Sequence, residues 1–417
     1  MKKYSIFLIL IVFFMLYHPP LFKVNSLHIV GLISWIYILF NWKSIKSIIF
    51  REKILRIFIF FSLIMTYVFL VAYINDNSLQ IVATYLYWIM DVLPGGIVIT
   101  NICLKKNYSI ISLITLLLIV GNIQGLLALL TFILPNFQLY FIEKMVSYGY
   151  EDRLLNLSSY RMFGISAALT FTTPIIQGMF AMLAIFLSIR VNSKYLLFVP
   201  LLIFSSLINA RTPIVIILLG FVILFILMIR DRKKIIKSFT FISILIVGIL
   251  IILNFIKKYS PSTYVWINNG FLEIKSFLKG DNIGYFTYVS DESKYRLPEG
   301  FNLFFGKGVR PLGENSYNTD IGWINDIWVA GILVSTILYL LFLKLFFELY
   351  LCKGEYSTLY KFIAMFFGIT LILGNFKGAI FMENEVTTVL FLIYIFVLSK
   401  SFLEKNKKLD LKLNKIN

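Results

Sequence analysis

The sequence predicts an all-α polytopic membrane protein, a single integral domain of about twelve transmembrane helices over residues 1–417 with one long extracytoplasmic loop. Three observations carry this. Of 417 residues 59% are hydrophobic and only 14% charged, with a mean hydropathy of +0.86, a balance no water-soluble core explains. Apolar runs near 20 residues recur along the chain, each long enough to cross roughly 30 Å of hydrocarbon. In lipid the backbone satisfies its own hydrogen bonds, so these runs are expected to be helices.

Taken in order, the spans are expected at 4–20, 26–41, 54–74, 79–103, 109–134, 164–189, 195–209, 212–229, 239–256, 321–347, 358–376 and 384–401. The opening MKKYSIFLILIVFFMLY has a basic start and an apolar centre but lacks a small-residue cleavage site, and reads as an uncleaved first span. Spans seven and eight are separated by Ala210-Arg211 alone. Merging them would place RDRKKIIK (230–237) on the outer face, against the tendency of lysine and arginine to stay cytoplasmic. With both termini inside, 25 of the 39 basic residues are cytoplasmic. Of the 14 outside, eight lie in the loop 257–320, too long for the charge rule to govern.

That distribution also explains the net charge of +18 without nucleic acid, because the cations sit in short connections and not on one face. Cys103 and Cys352 fall at cytoplasmic span ends, where no disulfide is expected. His18 and His28 have no Cys, Asp or Glu nearby in sequence, so no metal site is read there and no cofactor is expected.

Two outer segments exceed what connection needs, 135–163 and 257–320; the basic tail 402–417 reads as a solvated or headgroup-facing end. Candidate residues cluster around them. Arg211, in NARTP, is either an arginine snorkelling to the interface or a fixed cation suited to phosphate through its planar donor fork. Pro213 would set the geometry of the following helix. Arg161 closes the 135–163 loop before a span made polar by Thr170, Thr172, Thr173 and Gln177; it either pairs with Glu151 or Asp152 or faces a cavity. Arg310, Arg296 and Lys307 approach Asp320, which either caps the helix expected at Ile321 or serves as a base. GFNLFFGKG has the wrong spacing for a phosphate-binding P-loop and no Ser or Thr after Lys307. Asp91 and Asp326 are acids within spans, hence functional hypotheses, although Asp91 precedes Pro94-Gly95-Gly96, where a helix break is expected. GNIQG (121–125) reads as a helix-packing patch, and Glu383 and Glu385 as a surface pair with Lys377.

At YRMFG with TTPIIQG (160–178), NARTP (209–213) and FFGKGVRP…NTDIGWINDIWVAGI (304–332), the chain resembles the O-antigen polymerase and ligase superfamily, Wzy-type polysaccharide polymerases in particular. The motifs cover about 60 residues; their order and sidedness match the family's pattern of two arginine motifs and a long-loop glycine signature. The ligase branch places a histidine about eleven residues before the glycine of the tenth span; here that position, counted back from Gly331, is Asp320, a departure that favours polymerase over ligase. The resemblance implies a GT-C-like enzyme that acts without metal at the outer face of a bacterial cytoplasmic membrane. It would pass a growing glycan from undecaprenyl diphosphate to a lipid-linked repeat unit, with a flippase and a chain-length regulator as associated partners. Arg161, Arg211 and Asp320 would be catalytic. Arg310, Arg296, Lys307, Tyr317, Asn318 and Trp323 would bind substrate.

Overall fold

The computed structural model describes residues 4–148, 153–167, 171–229, 231–281, 284–309, 319–382 and 384–413. Arg310, Tyr317, Asn318, Glu151, Asp152, Thr170 and Glu383 lie outside them. Among the described residues there are helices and no strands. Eight helices are long and apolar enough to cross a membrane: Glu52–Ile74 (α3), Gln80–Lys105 (α4), Ile110–Ile133 (α5), Thr172–Arg190 (α6), the Ser238–Tyr259 part of Arg232–Tyr259 (α9), Gly322–Tyr350 (α11), Ser357–Gly374 (α12) and the Glu385–Glu404 part of Glu385–Leu413 (α13). Four shorter apolar helices occupy the remaining expected segments: Ile6–Tyr17 (α1), Ser26–Phe40 (α2), Ser193–Leu207 (α7) and Thr212–Met228 (α8). The long loop contributes one further sizeable helix, Pro261–Leu278 (α10).

Burial arranges these helices around α6, which is enclosed on every side, whereas α9 leaves most of its apolar surface facing outward. The side chains of Leu218, Val222, Ile244 and Val247 are more than half exposed, which suits a surface wetted by lipid chains and not by water. The helix-packing patch is as expected. A Cβ at Gly121 would come 2.6 Å from the Phe180 ring, and one at Gly125 3.1 Å from the Leu201 carbonyl, so these glycines let α5 close on α6 and α7.

Two elements differ from the sequence reading. The helix expected to break before Pro94 continues through it. Proline crowds the carbonyl four residues back and supplies no N–H to it. Here a π turn at Trp88–Val92 makes the room, and the Met90 carbonyl accepts from Trp35 Nε1 at 3.0 Å instead. Asp91, on that turn, is buried and meets His28 Nδ1 at 2.7 Å. The carboxylate missing beside His28 in sequence thus arrives from 63 residues away.

The sixth span, expected from 164, begins only at Thr172. Gly164 takes a positive φ of 62°, and Pro174 belongs in a first helical turn, so the 161–167 stretch is extended and turn-like. Gln124 Nε2 holds it by donating to the Phe163 carbonyl at 2.9 Å, and Ala167 N–H donates to the Tyr17 carbonyl at 3.0 Å.

α11 is broken at Gly331, whose φ of 73° and ψ of 169° lie outside any helix. The carbonyls released there are taken by the FFGKG segment: Lys307 N–H donates to Trp328 O at 2.7 Å and Gly308 N–H to Val329 O at 3.0 Å. A Cβ at Gly306 would sit 2.6 Å from Gly331 N, so backbone meets backbone only because both positions are glycine. The G-x-G stretch is therefore a plug for a broken helix.

Candidate functional site

The ends of α1, α6, α7, α8, α11, α12 and α13 meet on one side of the bundle. Met162 N–H donates to Ile208 O at 3.1 Å, which ties the extended 161–167 stretch to the end of α7. Gly322 N–H donates to Asn375 O at 2.8 Å, which ties the start of α11 to the end of α12. Arg161 leaves this stretch with its carbonyl held by Gln138 Nε2 at 2.6 Å. Arg211 stands immediately ahead of α8, whose first turn contains Pro213 as expected.

Both arginines converge on one side chain of α10. The Arg161 guanidinium carbon lies 4.7 Å from the centre of the Trp266 ring, and that of Arg211 5.0 Å from the same ring. Stacking of a cation on indole contributes roughly 0.5–2 kcal/mol, more as the site dries. Arg211 Nη1 also donates to Glu273 Oε1 at 2.5 Å. The Nε atoms of Arg161 and Arg211 are both buried and have no acceptor among the described residues. A buried donor left unfilled costs about 1–3 kcal/mol, so each arginine keeps a donor that an added acceptor would satisfy.

Lys377, which sequence reading put in a surface pair, is half-buried and belongs to this cluster. Its Nζ donates to Thr212 Oγ1 at 2.7 Å, beside Arg211. Burial first, and then the positive charges of Arg161 and Arg211, pull its pKa down to about 8, while Asp320 and Glu273 oppose that shift. The same five groups therefore share one electrostatic neighbourhood: three cations and two carboxylates. The consequence for pH is definite. The unfolded lysine keeps its proton to about 10.5, and the folded one releases it near 8. Between those values this lysine binds more protons in the unfolded state, so its contribution to stability rises with pH there and is level below 8. A thermal-unfolding series in detergent should show that rise in the native chain and lose it in Lys377→Met.

Glu385 was also read as a surface group. Instead it is fully buried and accepts hydrogen bonds from Thr172 Oγ1 and, at 2.6 Å, from Thr173 Oγ1. The two threonines open α6 and present hydroxyls where a carboxylate starting α13 needs donors.

Asp320 is exposed, and its N–H donates to the Tyr288 hydroxyl at 2.6 Å. It does not cap α11: the helix starts at Gly322, Ile321 holds the cap position, and no side chain caps its first turn. The negative charge of Asp320 reaches Lys377, where it partly offsets the two arginines. Arg296, Lys307 and Trp323 gather around another centre. Trp328 Nε1 donates to Arg296 O at 2.9 Å, Lys307 Nζ lies 5.1 Å from the Trp328 ring centre, and Trp323 packs on Tyr295 at 6.0 Å. Tyr288 packs against this second cluster while bonding Asp320, so Asp320 stands between the two.

Three participants were missed in the sequence. Lys377 carries the signal that singled out Arg211, a lone cation in a short connection between spans. Trp266 and Glu273 sit in a loop segment opened by a Ser-Pro helix start, a readable signal, but nothing local tells where that helix docks. Compared with known proteins, the chain matches no family model, no curated protein and no solved structure.

Proposed function

We propose that the protein is a polysaccharide polymerase of the Wzy type, moving a glycan from undecaprenyl diphosphate to the terminal sugar hydroxyl of a lipid-linked repeat unit. The observation that carries this reading is the cluster of Arg161, Arg211 and Lys377 at one end of a membrane bundle, with two arginine Nε donors unfilled. Breaking the anomeric C–O bond releases a lipid diphosphate, and fixed cations stabilise the charge that develops on it. The acceptor hydroxyl attacks the anomeric carbon, and its proton passes to the Asp320 carboxylate, which is not engaged in capping α11. Arg296, Lys307 and Trp323, with Arg310, Tyr317 and Asn318, supply donors and ring faces for the sugars. In this reading all twelve apolar helices cross the bacterial cytoplasmic membrane, both termini are cytoplasmic, and the cation cluster faces outward.

A second reading, a flippase for the same lipid-linked units, draws on the break at Gly331, since interrupted helices are common at transporter sites. Against it, the break is closed by the backbone of residues 307 and 308. A deletion strain separates the two. Single repeat units accumulate on the outer leaflet if the protein polymerises, and remain on the inner leaflet if it flips them, as sized and sided by mass spectrometry of surface-labelled lipids. A ligase would leave full-length lipid-linked chains unattached.

A further inference from the structure

α10 covers the cations with one face. Positions 266, 270 and 273 fall on the same side of a helix, and all three meet the arginines. The Trp266 ring lies against both guanidiniums; a Cβ at Gly270 would come 2.5 Å from Arg211 Cδ; Glu273 Oε1 accepts from Arg211 Nη1 at 2.5 Å. Side-chain exposure of Arg211 and Glu273 is 26% and 18%, so the pair is sheltered and only weakly screened. A carboxylate presents oxygens to a guanidinium in the geometry that a phosphate edge also offers.

We infer that Glu273 occupies the seat of a phosphate group: its carboxylate closes α10 over Arg161 and Arg211 as an internal competitor, and an anionic ligand bearing a diphosphate binds by displacing it. The identity of that ligand rests on the proposed function; the presence of an anion seat does not. Glu273 accepts from Arg211 within a group of three cations, and that ion pair holds the helix closed over them. The two halves of α10 are anchored differently. Its first half is tied down by Ser262 Oγ donating to Ser159 O at 3.1 Å and by Ile267 packed with Met162 and Ile208. In the second half Phe271, Leu272 and Phe277 are about half exposed, Glu273 packs against Gly284, and the helix ends at Leu278, two residues before Gly280 with its φ of 91°.

The experiment measures binding of inorganic pyrophosphate to the full-length purified protein in detergent, at one fixed salt concentration, by titration calorimetry. Glu273→Gln keeps the side-chain shape and removes the competing charge; it should bind about ten-fold tighter or more, as expected when the competent state is otherwise a minor fraction. Glu292→Gln removes the same charge from an exposed loop position and should bind as the native chain does. Arg211→Ala should lose binding. Monodisperse elution and a cooperative melting transition certify that each variant is folded. Native-like affinity in Glu273→Gln, with loss in Arg211→Ala, would overturn the competitor while leaving the phosphate seat intact. No pyrophosphate binding in any variant, Glu273→Gln included, would remove both.

Discussion

On the proposed function, Arg211→Ala is expected to abolish chain extension, with at least a hundred-fold loss of polymer at normal membrane abundance. Removing one preorganised donor from a site of developing charge typically costs about 10²–10³ in rate. Here the loss is compounded, because Arg211 also anchors Trp266 and Glu273. Arg161→Ala should act in the same direction through the shared ring. Arg211→Lys should recover little: an ammonium keeps the charge but not the planar fork that grips two oxygens at once. The measurement is glycan length on gels alongside immunodetected protein in isolated membranes. Polymer of native length from Arg211→Ala would remove that residue from the mechanism.

Gly331→Ala should be the most damaging substitution outside the cation cluster. A Cβ there runs into the Phe304 carbonyl and comes 2.6 Å from Gly306 N, and the φ of 73° with ψ of 169° belongs to glycine almost alone. Strain of about 1–3 kcal/mol adds to the loss of the two hydrogen bonds from Lys307 and Gly308, each worth roughly 0.5–1.5 kcal/mol. A fall of several degrees in the melting temperature in detergent follows. Gly248→Ala is the matched control. It lies within α9 with open space around it, so it should be neutral or slightly stabilising. Equal melting temperatures for the two variants would refute the reading of the break.

The helices were legible because each apolar run carries its own signal, whatever its neighbours. Their starts were legible where proline marks a first turn: Pro213 placed the start of α8, and the same cue at Pro174 would have corrected that of α6. Pro94 misled because its remedy, Trp35 donating to Met90 O, comes from another helix. The site was legible in part. Arg161 and Arg211 stood out as isolated outer cations, and the structure brings them onto one ring. Lys377 and Glu385 were misjudged for one physical reason. A charged residue near a span end looks the same in sequence whether it meets water or partners such as Thr212, Thr172 and Thr173, more than 160 residues away.

The interruption in α11 also resolves a problem of length. A continuous helix of 29 residues would measure about 43 Å, far more than a hydrocarbon slab of roughly 30 Å accommodates upright. Residues 332–350 alone come to about 28 Å, a fit to that thickness without tilt. The nine residues ahead of Gly331 are thereby excused from spanning anything. They can keep Asn325 and Asp326 among polar neighbours and steer Asp320 independently of the helix behind it.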